Sequence, residues 1–146
     1  MRFLRQQTAK PDRRVLVTLV GGHRLNMGSR GSARPVKVCI YLSSTAGWAP
    51  PIDVPEGECI TREREPSLLS SERRVLAPDQ LLQLNFTAPG ARDSWVVVDA
   101  DFGDRSVDYR AFRMPVENQE LVQVNAWLDS NRVVDASNYH PSDAKP

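Results

Sequence analysis

Histidine is nearly absent from this sequence: only His23 and His140 occur in 146 residues. General acid–base centres are most often built on His, and these two fall in a Gly-rich segment and near the C-terminus. No catalytic residue is assigned, and neither an enzyme nor a cofactor is expected. An excess of either charge is missing too. The 19 Lys and Arg stand against 18 Asp and Glu, leaving a formal charge of +1. No field of one sign is available to hold phosphates, which excludes nucleic acid as an expected partner. No run of about 20 apolar residues occurs, and Met1-Arg2-Phe3-Leu4-Arg5-Gln6-Gln7 lacks the apolar core of a signal peptide. The chain as written is expected neither to span a membrane nor to direct its own export.

What is present reads as globular. Hydrophobic residues make up 40% and charged residues 25%, close to the usage of folded domains and enough for one core. Cysteine is limited to Cys39 and Cys59, separated by a Pro- and Gly-containing segment that can fold back on itself. A disulfide and two free thiols both fit this spacing. A bridge would close a loop of about 20 residues and stabilise the fold by ~3 kcal/mol in the chain-entropy model. Metal binding by two cysteines without a nearby His is not expected.

Strand signals dominate the pattern. Arg14 to Val20 is a β-branched run stopped by Gly21-Gly22, expected to be buried on nearly both faces. Val36, Val38, Ile40 and Leu42 share one face of a second strand, with Lys37, Cys39 and Tyr41 on the other. Leu81 to Thr87, Trp95 to Phe102 and Val107 to Val116 follow, each bounded by Gly, Pro or Asp. Leu121 to Leu128 and Arg132 to Ala136 then form a hairpin around Asp129-Ser130-Asn131. Between the second and third of these, Pro66-Ser67-Leu68-Leu69-Ser70-Ser71-Glu72 predicts a short helix, since Pro suits a first helical turn. Seven strands separated by turn residues predict an all-β, antiparallel two-layer sandwich with a short helical insertion. The expected boundaries are a flexible N-terminal segment at 1–13, the sandwich at 14–136 and a disordered tail at 137–146.

Three groups of residues carry functional readings. Asp99, Asp101, Asp104 and Asp108 cluster around a turn, yet strand alternation and the absence of a calcium-loop spacing favour carboxylates paired with Arg105 and Arg110. No metal site is assigned. Trp48, Trp95 and Trp127 offer aromatic faces for a sugar, so a carbohydrate-binding or adhesin-type module is the competing reading; packing at the sandwich edge is the plainer role. The segment from Gly21 to Arg34 reads as a long mobile loop, presenting Leu25 and Met27 as apolar anchors amid His23, Arg24, Asn26 and Arg30.

The block RVLVTLVGGHRLNMGSRGSARPVKVCIYLSS resembles the opening of the TssJ (SciN) family of type VI secretion lipoproteins. Leu25-Asn26, Gly31, Pro35-Val36, Val38 and Ile40-Tyr41 carry the likeness, and SWVVVDADFGDRSVDYRAFRMPV and LVQVNAWLDSNRVV extend it over roughly Arg14 to Ala136. The resemblance implies a transthyretin-like sandwich on the periplasmic face of the outer membrane, lipid-anchored there through a cysteine in an anchor region removed from this sequence. It implies a structural role, in which the domain holds the C-terminal periplasmic domain of TssM and, through it, the TssL/TssM membrane complex. The loop from His23 to Arg34 matches the region with which the family touches TssM, making Leu25, Asn26 and Met27 the foremost contact candidates. A disulfide would suit the oxidising periplasm. The hydroxyisourate hydrolases share the implied scaffold, but their Tyr-Arg-Gly-Ser ending is replaced here by Asn138-Tyr139-His140-Pro141.

Overall fold

The computed structural model describes residues 10–55 and 57–137. Residues 1–9 of the expected N-terminal segment and 138–146 of the expected tail, His140 included, lie outside the described residues. Eight strands follow in chain order: β1 (Arg13–Leu25), β2 (Val36–Ser43), β3 (Leu68–Leu76), β4 (Leu81–Ala88), β5 (Trp95–Ala100), β6 (Phe112–Pro115), β7 (Leu121–Ser130) and β8 (Arg132–Asp135). They form two four-stranded sheets, ordered β4-β1-β7-β8 and β3-β2-β5-β6. The expected sandwich is therefore present, with one departure from antiparallel pairing: β1 runs parallel to β7.

The core lies between the sheets and is made by alternation. Val15, Val17 and Leu19 of β1, Val36, Val38, Ile40 and Leu42 of β2, Val96 and Val98 of β5, and Val122, Val124, Ala126 and Leu128 of β7 all face it. The outward residues of β1, Leu16, Thr18 and Val20, are half-buried rather than enclosed. At its start, the buried Arg13 closes one end of the sandwich. Its guanidinium donates to the carbonyls of Val116, Pro89 and Arg92 at 3.1, 2.7 and 2.6 Å. Arg13 is thus the first residue of β1, one residue earlier than the Arg14 start expected for that strand.

No helix occurs among the described residues, and the segment expected to be a short helix from Pro66 is instead a turn at Pro66-Ser67 that leads into the edge strand β3. β3 pairs with β2 along its whole length. Glu72 and Arg74 lie opposite Ile40 and Val38, on the core-facing side, and pair with each other at 2.7 Å at the rim. Inward charges on an edge strand discourage pairing with another chain, and they also erase the period-two signal. A bulge where Ser43 meets Leu68 sends Leu68 to the outer face while Leu76 stays in the core.

β1 continues past the glycines that were expected to end it. A Cβ on Gly21 would run into the Ala77 carbonyl, and one on Gly22 into the Asp129 carboxylate. These glycines permit close backbone approach; they do not form a turn. β6 is shorter than the predicted Val107–Val116 strand, because Tyr109 folds back and its hydroxyl accepts the Ala100 amide at 2.8 Å.

Candidate functional site

At the end of the sandwich opposite Arg13, three connections meet: residues 26–35 between β1 and β2, 101–111 between β5 and β6, and the tight β7–β8 turn. Asn26 joins all three. Its amide donates to the Ser130 carbonyl at 2.8 Å, its side-chain nitrogen donates to the Pro35 carbonyl at 2.9 Å, and its side-chain oxygen accepts the Gly103 amide at 2.9 Å. Those partners fix the orientation of the side-chain amide. The residue has φ of +49°, a left-handed conformation that Asn tolerates better than most. Its carbonyl accepts Arg34 Nε at 2.9 Å, and Arg34 N–H closes the base of the loop on the Leu25 carbonyl at 2.9 Å. Across the tip, Gly28 N–H donates to Ser32 and Gly31 N–H to Gly28, each at 2.9 Å.

The sequence-predicted contact residues separate into two groups. Leu25 is fully buried in the main core and Asn26 is 8% exposed, so both support the loop from beneath and offer a partner almost no surface. Leu25 lies opposite Ser130 beyond a register shift in β1 after Gly21, on the same core face as Val15, Val17 and Leu19. His23, Arg24 and Arg30 are exposed, and Met27 is half-exposed. Arg24, Asn26, Met27, Asp104, Ser130 and Asn131 line a shallow cleft of about 170 Å³. Asp104 and Asn131 were absent from the residues singled out for this loop, and no local signal marks them: the β5–β6 connection and the β7–β8 turn bring them there. Arg24 is steadied by its amide donating to Asp129 at 2.9 Å, and His23 Nδ1 lies 3.3 Å from Asp79.

Behind the cleft, the 101–111 connection is held by a half-buried polar cluster. Tyr109 donates its hydroxyl proton to Asp99 at 2.8 Å, Arg105 sits 4.4 Å over the Tyr109 ring, and Arg105 donates to the Ala100 carbonyl at 2.6 Å. Arg105 lies 3.7 Å from Asp99, and Lys37 lies 3.8 Å from Asp101. The expected pairing of these carboxylates with Arg105 therefore holds for Asp99. Arg110 donates instead to the Tyr109 carbonyl, and among the described residues no ion pair links it to the four aspartates. Burial lifts the Asp99 carboxyl above its ordinary value, against the opposing pull of Tyr109, Arg105 and Lys37. Burial, and then the Asp99 charge, push the Tyr109 phenol above its ordinary range.

A raised carboxyl favours folding in its neutral form, so that contribution is present at acid pH and is lost as the pH rises through the folded-state value. Asp99→Asn keeps an acceptor for Tyr109 without the charge. The variant is expected to be at least as stable as the parent at pH 7, with the difference narrowing toward pH 3 in urea titrations. A variant less stable by the same amount at every pH would contradict this.

The tryptophans do not form one platform. Val96 and Val98 face the core on β5, and Ala126 and Leu128 face it on β7. Trp95 and Trp127 therefore leave opposite outer faces of the sandwich. Trp48 packs edge-on against Tyr41, with centroids 5.1 Å apart.

The sequence model of the type VI secretion lipoproteins (VasD, EvfM, TssJ) matches residues 13–131, from the first residue of β1 to the β7–β8 turn. The chain belongs to this family. Solved structures agree on the fold of this type VI secretion lipoprotein. It is similar to the lipoprotein TssJ1 from Pseudomonas aeruginosa at 16% identity, with 85% of this chain and 95% of that chain covered and a TM-score of 0.64. It is similar to a chain of a type VI membrane complex at 14% identity, covering 84% and 97%, with a TM-score of 0.65. A chain in a structure described as the TssM C-terminal domain from EAEC is 13% identical, with 84% and 96% covered and a TM-score of 0.59. No curated protein sequence matches the chain.

Proposed function

We propose that this lipoprotein domain is a structural, non-enzymatic part of the type VI secretion membrane complex. It binds the C-terminal periplasmic domain of TssM through the β1–β2 loop and, through TssM, the TssL/TssM complex. In this reading the domain spans residues 14–136 and sits at the periplasmic face of the outer membrane, held by a lipid on its N-terminal side. Family membership supports the reading, as does the occurrence of a chain of this fold in structures described as a type VI membrane complex and as the TssM C-terminal domain.

The observation that carries the choice of loop is the Asn26 junction. A loop tied to two neighbouring connections presents its outer residues in one arrangement, so less ordering entropy opposes association. Met27 supplies an apolar contact and His23, Arg24 and Arg30 a polar rim, an arrangement suited to a protein partner. The chain needs to perform no chemistry in this role: a rigid sandwich with an anchor on one side and a docking loop at one end links two layers of the envelope. Calorimetric titration with the periplasmic C-terminal region of TssM from the same secretion system tests the reading. Saturable binding is expected, and a folded domain that does not bind refutes it.

A further inference from the structure

β2 has two apolar faces that belong to different bodies. Val36, Val38, Ile40 and Leu42 face the main core, while Cys39 and Tyr41 face outward beside Val97 and join Ile60 and Leu68 in a second buried cluster. The β2–β3 connection, described at residues 44–55 and 57–67, covers that cluster, with Trp48, Val54 and Cys59 packed on it. No strand occurs in this cover. Apart from the Ser43–Thr45 and Leu68–Glu65 hydrogen bonds at its two ends and the Trp48–Tyr41 ring contact, its ties to the sheet include Ile60 N–H to the Tyr41 hydroxyl at 3.0 Å, Lys37 Nζ to the Glu58 carbonyl at 3.1 Å, Arg113 to the Gly47 carbonyl at 3.2 Å, and the Cys39–Cys59 disulfide. Beside the disulfide, a polar cavity of about 440 Å³, lined by Lys37, Tyr41, Asp99 and Arg105 among others, separates part of the cover from the sheet.

We propose that the Cys39–Cys59 disulfide is a redox latch: its reduction releases the β2–β3 connection as a flap, while the sandwich and the β1–β2 loop remain folded. The main core contains neither cysteine, and none of the Asn26 hydrogen bonds reaches the flap. Loss of the latch is therefore felt locally.

The exchange chemistry has a defined order. Cys39 is 3% exposed and Cys59 is half-exposed, so an external thiolate attacks the Cys59 sulfur. The S–S bond breaks, a mixed disulfide forms on Cys59, and Cys39 leaves as a thiolate that takes a proton from water. A second thiolate attacks the external sulfur of the mixed disulfide, releasing the Cys59 thiolate, which is protonated in turn, and a small disulfide. The protein gains two electrons and two protons, and a small-molecule disulfide such as oxidised glutathione drives the reverse. In a reducing compartment Tyr41, Val97 and Trp48 stay uncovered, and an oxidising one completes the fold.

Hydrogen exchange of the oxidised protein and of the protein reduced with dithiothreitol, with both thiols confirmed by alkylation and mass, tests the proposal. Amides of 44–55 and 57–67 are expected to exchange on the order of a hundredfold faster after reduction, with β1, β4 and β7 unchanged within about twofold. A Cys39→Ala/Cys59→Ala chain should reproduce the reduced pattern without reductant. Equal acceleration across both sheets would show a staple for the whole fold, and no acceleration anywhere would show a flap held without the disulfide; either result overturns the latch.

Discussion

An Ile40→Asp chain is expected to be unfolded at 25 °C. Ile40 has no exposed surface and stands mid-strand in β2, flanked by Val38 and Leu42 on the same core face. Removing its side chain costs about 2–5 kcal/mol in lost burial and cavity formation. An unpaired carboxylate in that environment adds several kcal/mol more, or must take up a proton at a comparable cost. Since whole domains are stable by about 5–15 kcal/mol, the sum reaches the scale of the fold itself. Circular dichroism should show loss of the β signal, with no cooperative melt. An Ile40→Asp chain that melted within a few degrees of the parent would contradict the placement of the Ile40 side chain between the two sheets.

Asn26→Ala is expected to remain folded but to lose at least about 3 kcal/mol and most partner affinity. The substitution leaves the Gly103 amide and the Pro35 carbonyl without their side-chain partners, at about 1–3 kcal/mol for each group that stays buried. It also places Ala at a left-handed φ of +49°, which costs roughly 1–2 kcal/mol more. Asn26→Gly separates the two effects, because Gly relieves the backbone penalty while still lacking both side-chain bonds. Urea titration should rank the chains parent, Asn26→Gly, Asn26→Ala in falling stability. If Asn26→Ala matched the parent in both stability and TssM binding, the three connections would not depend on this residue.

Alternation made much of the fold legible. β2 and β7 place every second apolar residue in the core, so their sequences announce both the strand and its buried face. The β3 sequence does not announce a strand because its polar positions include the core side: Glu72 and Arg74 satisfy each other at the rim, and Pro66 with Leu68-Leu69 imitates a helix start. Tertiary pairing with β2 overrides that local preference. The parallel pairing of β1 with β7 has no local signature, since it depends on which distant strand lies alongside.

The candidate site was legible in part for the same reason. Its location between the first two strands follows from the length and composition of the segment, and Asn26 is the kind of residue that accepts a left-handed backbone. Yet Gly21-Gly22 ended the strand too early on paper. Once β1 is extended to Leu25, that leucine turns from an expected surface anchor into a core residue. Only the tertiary arrangement shows that Asp104 and Asn131 share the cleft with Met27.

In the proposed function Met27, on a loop braced by Asn26, is the residue that touches TssM. The most direct test is calorimetric titration of the periplasmic C-terminal region of TssM into the parent domain and into Met27→Asp, with thermal melts of both. Met27 is only half-buried, so the substitution should leave the melt within about 3 °C of the parent, while a charge in the proposed interface should weaken binding by at least about tenfold. Unchanged affinity in a folded Met27→Asp domain, or no binding by the folded parent, would contradict the account.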